Sequence, residues 1–207
     1  MQTIVFQGDS ITDVGRSWED DENRGLGYPH LVTAKLGYAS PQQHRFLNRG
    51  ISGNRVVDLY ARIKADFINL KPDYLSILIG VNDVWHEIGA HNGVAADKFE
   101  RVYTMLIEEI LQAVPDVRIM ILEPFVTHGT ATDPHWDIFS SEVPLRAAAA
   151  KRVAEMLGLS FVPLQSLFDE AQQAAPASYW TADGVHPTVY GHEMIARAWI
   201  DTFRSMQ

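Results

Sequence analysis

A serine near the start of the chain and an aspartate–histidine pair near its end are residue types that could perform acyl transfer. Ser10 lies in Gly8-Asp9-Ser10, and a serine hydroxyl is a weak nucleophile unless a base takes its proton. Asp183 precedes His186 closely enough for one turn to hold both side chains. The carboxylate would then bind the Nδ1 proton and leave Nε2 as the base. The sequence therefore predicts a Ser10–His186–Asp183 triad.

Acyl transfer also needs hydrogen-bond donors for the oxyanion that develops on the carbonyl group. The candidates are the backbone N–H of Ser10, the backbone N–H of Gly53 and the side-chain amide of Asn82. Each has a plainer interpretation. Ser10 could cap a helix, Gly53 could mark a tight turn, and Asn82 could hydrogen-bond its own loop.

Two further aspartates could also pair with His186. Asp9 is next to the proposed nucleophile, and Asp83 is next to Asn82. We interpret both as residues that structure their own loops, and Asp183 as the partner of His186.

Four aromatic residues fall in the loops expected at the carboxyl ends of the strands: Trp85, Trp136, Tyr179 and Trp180. The flat apolar faces of such rings can stack on sugar rings. The sequence therefore predicts that they bind substrate, with ordinary packing inside the protein as the alternative.

No metal site or cofactor is predicted. His86 and His91 are one residue further apart than the two histidines of a zincin helix, and Gly89 between them disfavours a helix. The acidic run at positions 19–22 lacks the spacing of a calcium-binding loop, and we interpret it as a solvated loop. The chain has no cysteine, which excludes disulfides, thiolate ligands and a cysteine nucleophile.

Short apolar runs that alternate with helical patterns must position these residues. The runs lie at 3–6, 45–48, 74–79, 117–122 and 160–162, and the helical patterns at 28–36, 56–70, 96–114, 143–157 and 187–203. This alternation predicts an α/β fold, a three-layer α/β/α sandwich with a five-stranded parallel sheet in the flavodoxin-like order 2-1-3-4-5. Ligands bind such sheets at the carboxyl ends of the strands, where the loops named above lie.

Composition limits the functions further. The 207 residues predict one domain, 1–207, and the net charge of −9 without a basic stripe argues against nucleic-acid binding. No apolar run approaches the length of a membrane span. The first residues lack the pattern of a signal peptide, so a cytoplasmic protein is expected.

The chain resembles the SGNH family of GDSL-type hydrolases, which is named for a serine, a glycine, an asparagine and a histidine. These correspond here to Ser10, Gly53, Asn82 and His186, which occur in the expected order. The resemblance covers nearly the whole chain. Within the family, the segments 50–54, 80–85 and 183–187 look similar to acetylxylan esterases of the intracellular type.

The resemblance implies a serine esterase that removes acetyl groups from xylo-oligosaccharides through an acyl-enzyme on Ser10, with no cofactor. It also implies a homo-oligomer. A broad short-chain esterase, or a lipid acyl hydrolase of the lysophospholipase or thioesterase type, would use the same residues. A non-catalytic binding protein on this fold is a third alternative.

Overall fold

Five parallel strands form one sheet in a computed structural model that describes residues 1–207. The strands are β1 (Gln2–Gly8), β2 (His44–Asn48), β3 (Tyr74–Leu78), β4 (Arg118–Leu122) and β5 (Ser160–Val162). Their order across the sheet is β2-β1-β3-β4-β5, and every neighbouring pair is parallel. The predicted sheet and its strand order are confirmed.

The sheet is buried on both faces, because helices cover each of them. In β1, Ile4 and Phe6 join a core of 26 buried residues on one face, whereas Val5 joins a core of 22 on the other. Successive side chains of a strand point to opposite faces, so a strand that is buried on both faces has an unbroken apolar sequence. This explains why short apolar runs mark the strands.

Ten helices surround the sheet. They are α1 (Ser10–Asp13), α2 (Tyr28–Ala39), α3 (Val56–Ala61), α4 (Ile63–Asp66), α5 (Val81–Ala90), α6 (Ala96–Ala113), α7 (Trp136–Met156), α8 (Gln165–Ala171), α9 (Ala177–Trp180) and α10 (Val189–Ser205). Short 3-10 turns cover Ile68–Leu70 and Asp133–His135. Helices α2 and α10 pack together on one face of the sheet, and α3, α6 and α7 pack together on the other.

The structure corrects three helix predictions. The helix predicted over 56–70 is broken at Arg62, which leaves helical geometry (φ −111°, ψ 18°) while its guanidinium binds Asn54 Oδ1 at 2.9 Å and the Arg49 carbonyl at 2.9 Å. Helix α7 begins at Trp136 and contains Pro144, instead of beginning at residue 143. Helix α10 is capped by Thr188, so Pro187 precedes the helix and does not lie in its first turn.

Four helices, α1, α5, α8 and α9, lie where the sequence indicated no helix. Helix α1 begins at Ser10, and α5 begins directly after Gly80 and carries Asn82 in its first turn. No helix of the structure is both long and apolar enough to cross a membrane.

Candidate active site

Ser10 begins helix α1 immediately beyond the carboxyl end of β1, an inner strand of the sheet. The turn needs glycine at position 8, because a Cβ there would lie 2.4 Å from the Leu78 carbonyl oxygen and from Thr12 Oγ1. The Oγ of Ser10 lies 2.9 Å from Nε2 of His186, although the two residues are far apart in the sequence. This is the contact that lets an imidazole take the hydroxyl proton.

Asp183 holds the other side of the imidazole. Its Oδ2 lies 2.7 Å from His186 Nδ1, and its Oδ1 accepts the backbone N–H groups of Val185 at 2.9 Å and His186 at 2.8 Å. Burial acts to raise the pKa of Asp183, but these hydrogen bonds outweigh it and the pKa is lowered. The carboxylate therefore stays charged and orients Nε2 towards Ser10.

A second loop supports the turn that carries Asp183. The backbone N–H of Thr127 donates to the Gly184 carbonyl, and that of Ala131 to the Asp183 carbonyl, each at 2.9 Å. Gly129 packs so closely that a Cβ would lie 2.2 Å from the carbonyl carbon of Asp183. The position of the triad turn thus depends on a loop that carries none of the triad residues.

The strand order places the three candidate oxyanion donors side by side. Ser10 follows β1, Gly53 follows β2 and Asn82 follows β3, and β1 lies between β2 and β3. Gly53 has a φ of +81°, which favours glycine. Asn82 is buried, and its amide donates to the Asn54 carbonyl at 3.2 Å. A primary amide has two N–H groups, so one remains for a ligand.

Side chains of the Ser10 segment hold the loop that carries Gly53. Asp13 Oδ2 accepts both the backbone N–H of Ser52 at 3.0 Å and its hydroxyl at 2.8 Å. The Nε of Arg16 donates to the Gly50 carbonyl at 2.7 Å. Sequence reasoning missed these two residues, since nothing in the sequence pairs an aspartate or an arginine with a loop so far along the chain.

The structure gives Asp9 and Asp83 other partners than His186. Asp9 Oδ1 caps α1 by accepting the Ile11 N–H at 2.9 Å, while its Oδ2 is buried without a partner. Burial raises the pKa of Asp9 to about 7. Asp83 is buried as well, which raises its pKa, and it accepts the Val56 N–H at 3.1 Å. Asp83 thereby joins the start of α5 to the start of α3.

Of the four candidate aromatic residues, Trp85 lies beside the triad. Its ring centroid is 6.0 Å from that of His186, and the edge of Phe139 holds it in place at 5.8 Å. Trp136 stacks on His128 at 3.8 Å. The remaining two form other contacts.

Tyr179 stacks on Tyr190 at 4.3 Å, and Trp180 donates from Nε1 to the Ala175 carbonyl at 3.2 Å. The hydroxyl of Thr188, just beyond the triad turn, donates to the Tyr179 carbonyl at 2.7 Å. Tyr179 and Trp180 thus lie near the triad turn, but their rings pair with other groups of the chain.

His86 lies within α5 and His91 caps its end, and neither belongs to a group of three or more side chains that could hold a metal ion. His91 caps the helix in the left-handed conformation (φ +50°), and its side chain is 89% exposed.

In a comparison with known protein families, residues 6–194 match the model of the GDSL-like lipase/acylhydrolase family. An acetylxylan esterase from Geobacillus stearothermophilus is 34% identical over 209 residues, which cover 96% of this chain and 92% of the relative.

Solved structures of similar proteins share the fold over almost the full chain. A protein from Parabacteroides merdae, described as a GDSL-like lipase, has a TM-score of 0.90 at 35% identity and covers 97% of this chain and 94% of its own. A crystal structure of the acetylxylan esterase from Geobacillus stearothermophilus has a TM-score of 0.86 at 33% identity, and the alignment covers 97% of this chain and 93% of that one.

Proposed function

Because the chain belongs to the GDSL-like lipase/acylhydrolase family and is a carboxylic ester hydrolase, we propose that it removes acetyl groups from xylo-oligosaccharides with Ser10 as its nucleophile. The hydrogen-bonded chain from Ser10 through His186 to Asp183 carries this proposal for the chemistry. The similarity to an acetylxylan esterase supports it for the substrate.

In the proposed mechanism, Ser10 Oγ attacks the ester carbonyl carbon while His186 Nε2 takes the hydroxyl proton. The charged carboxylate of Asp183 stabilises the imidazolium that forms. The tetrahedral oxyanion accepts hydrogen bonds from the Ser10 and Gly53 backbone N–H groups and the Asn82 amide.

The tetrahedral intermediate then collapses to the acyl-enzyme, as in other acyl transfers. Its bond to the sugar oxygen breaks, and His186 gives its proton to that oxygen, so that the alcohol leaves and acetyl-Ser10 remains. Water attacks the acetyl group as His186 takes a proton from it; the bond between the acetyl carbon and Ser10 Oγ then breaks, His186 returns its proton to Oγ, and acetate leaves. No step requires a group beyond these residues and water.

The second candidate is a lipid acyl hydrolase, which the similarity to a protein described as a GDSL-like lipase favours. The two candidates share the triad and differ in the acyl chain. Acetate release from acetylated xylo-oligosaccharides, measured beside octanoyl ester hydrolysis, separates them.

We expect fast acetate release by the wild type and a loss of about 10⁶-fold in Ser10→Ala, by analogy with another serine hydrolase. Faster hydrolysis of octanoyl than of acetyl esters would move the substrate to lipids. Undiminished acetate release in Ser10→Ala would contradict the proposed nucleophile.

A further inference from the structure

A cavity of about 420 Å³ opens along one side of helix α5. Its lining consists of Trp85, His86, Ile88, Gly89, Ala90 and His135. Its volume lies within the range of pockets that hold small molecules. The two imidazoles and the indole combine an apolar wall with groups that can form hydrogen bonds.

Trp85 connects this cavity to the triad, because its ring also lies 6.0 Å from that of His186. In the proposed reaction, His186 gives its proton to the oxygen of the departing alcohol. That oxygen must therefore lie beside Nε2, and the rest of the alcohol must extend from there. Since Trp85 both lines the cavity and lies beside His186, one side chain separates the cavity from the position proposed for the departing alcohol.

His86 lies between the cavity and the Gly53 loop. A Cβ built on Gly53 would be 4.0 Å from His86 Nε2, so the imidazole faces the residue that is proposed to bind the oxyanion. Neither ring nitrogen of His86 has a hydrogen-bond partner within the chain, and the residue is half-buried. A neutral imidazole can donate one hydrogen bond and accept another, which suits a hydroxyl group.

We propose that this cavity binds the sugar ring of the departing alcohol, with the apolar face of the sugar on Trp85 and a sugar hydroxyl hydrogen-bonded to His86. The inference rests on the proposed function and names the residue that recognises the sugar. A lipid chain fits this cavity poorly, because it would cover His86 and His135 without offering them a hydrogen bond.

The variant His86→Ala tests this assignment on two acetyl esters, acetylated xylobiose and 4-nitrophenyl acetate. Only the first carries a sugar. We expect kcat/KM for acetylated xylobiose to fall about 3- to 10-fold, the usual effect of one lost hydrogen bond, mainly through a higher KM. The value for 4-nitrophenyl acetate should stay within about twofold. His86→Gln, which retains a donor and an acceptor, should recover part of the loss.

His91→Ala is the matched control, since it removes an exposed imidazole from the end of the same helix outside the cavity. It should leave both reactions unchanged. Equal losses on both esters in His86→Ala, or no loss on acetylated xylobiose, would overturn the sugar subsite alone. A wild type that cleaves 4-nitrophenyl acetate but not acetylated xylobiose would overturn the proposed substrate and the subsite together.

Discussion

At the scale of the residue, the surroundings of two carboxyl groups near His186 shift their pKa values in opposite directions. The carboxylate of Asp183 accepts hydrogen bonds from two backbone N–H groups and contacts the imidazole of His186; despite burial, which raises the pKa of Asp183, these contacts together lower it. Asp9 gains one backbone hydrogen bond in a site that excludes water, and its pKa rises to about 7. We therefore expect different roles: Asp183 supplies the negative charge beside His186, and Asp9 caps the helix that begins at Ser10 and is neutral at lower pH.

The raised pKa of Asp9 predicts how stability depends on pH. The unfolded chain releases this proton near the ordinary value of 3.8, whereas the folded chain keeps it up to about pH 7. The contribution of neutral Asp9 to stability is therefore complete below about pH 4 and is lost as the pH rises through about 7. Asparagine at this position can still accept the Ile11 N–H but does not titrate.

Relative to the wild type, Asp9→Asn should thus gain unfolding free energy by up to about 1.4 kcal/mol per pH unit within this window. Urea denaturation between pH 4 and 8 measures the difference. Asp116→Asn, a change at an exposed carboxylate, is the control and should follow the wild type. A difference between Asp9→Asn and the wild type that stays constant over this range would contradict the assignment.

The sequence predicted the grouping of Ser10, Asp183 and His186 because each occurs in a short local pattern. Asp13, Arg16 and His86 have no such pattern, since their partners or neighbours at Ser52, Gly50 and Gly53 become close only when β2 aligns with β1. The catalytic roles of the triad and of the oxyanion donors stay predictions. Of the aromatic residues, the structure places Trp85 next to a triad ring and pairs the rings of the others with neighbouring side chains.

At the scale of the element, strands were easier to predict than helix boundaries. Buried strands between glycines and prolines have a distinct composition, but α5 contains Asn82, Asp83 and Gly89, which are weak helix formers. Tertiary contacts stabilise α5 instead, as Asp83 binds the Val56 N–H. Pro144 obscured the early start of α7 because prolines usually lie in the first turn of a helix.

Because Gly129 packs against the turn that carries Asp183, a substitution at Gly129 should lower the catalytic rate although Gly129 is not part of the triad. In Gly129→Ala the new methyl group would clash with the backbone of Asp183 and Gly184, at 2.2 and 2.3 Å. The turn must shift, and a shift of about 1 Å in a catalytic group can cost about 10²-fold in rate. We therefore expect kcat for an acetyl ester to fall by about 10²-fold in protein that remains folded by circular dichroism.

Gly37→Ala provides the comparison for that variant. Gly37 lies in α2, where an added Cβ would meet no atom within 4 Å. Alanine should raise the unfolding free energy by about 0.5–1 kcal/mol and leave kcat unchanged. Wild-type kcat in Gly129→Ala would show that the loop does not position the triad turn.

At the scale of the whole molecule, the order of the strands assembles the site. Because β1 lies between β2 and β3, the loop that carries Gly53 and the start of α5 that carries Asn82 flank Ser10, and the turn before α10 brings His186 to it. The sequence predicted this order, and the structure confirms it. The single domain, the homo-oligomer and the cytoplasmic location stay predictions.

Ser10 is proposed to form the covalent acyl-enzyme. Treatment with a fluorophosphonate, followed by peptide mass spectrometry, tests it most directly, because the reagent bonds to a serine that a neighbouring base activates. We predict one adduct per chain, on Ser10, and its absence in Ser10→Ala and His186→Ala. Labelling of another residue, or equal labelling of wild type and Ser10→Ala, would contradict the claim.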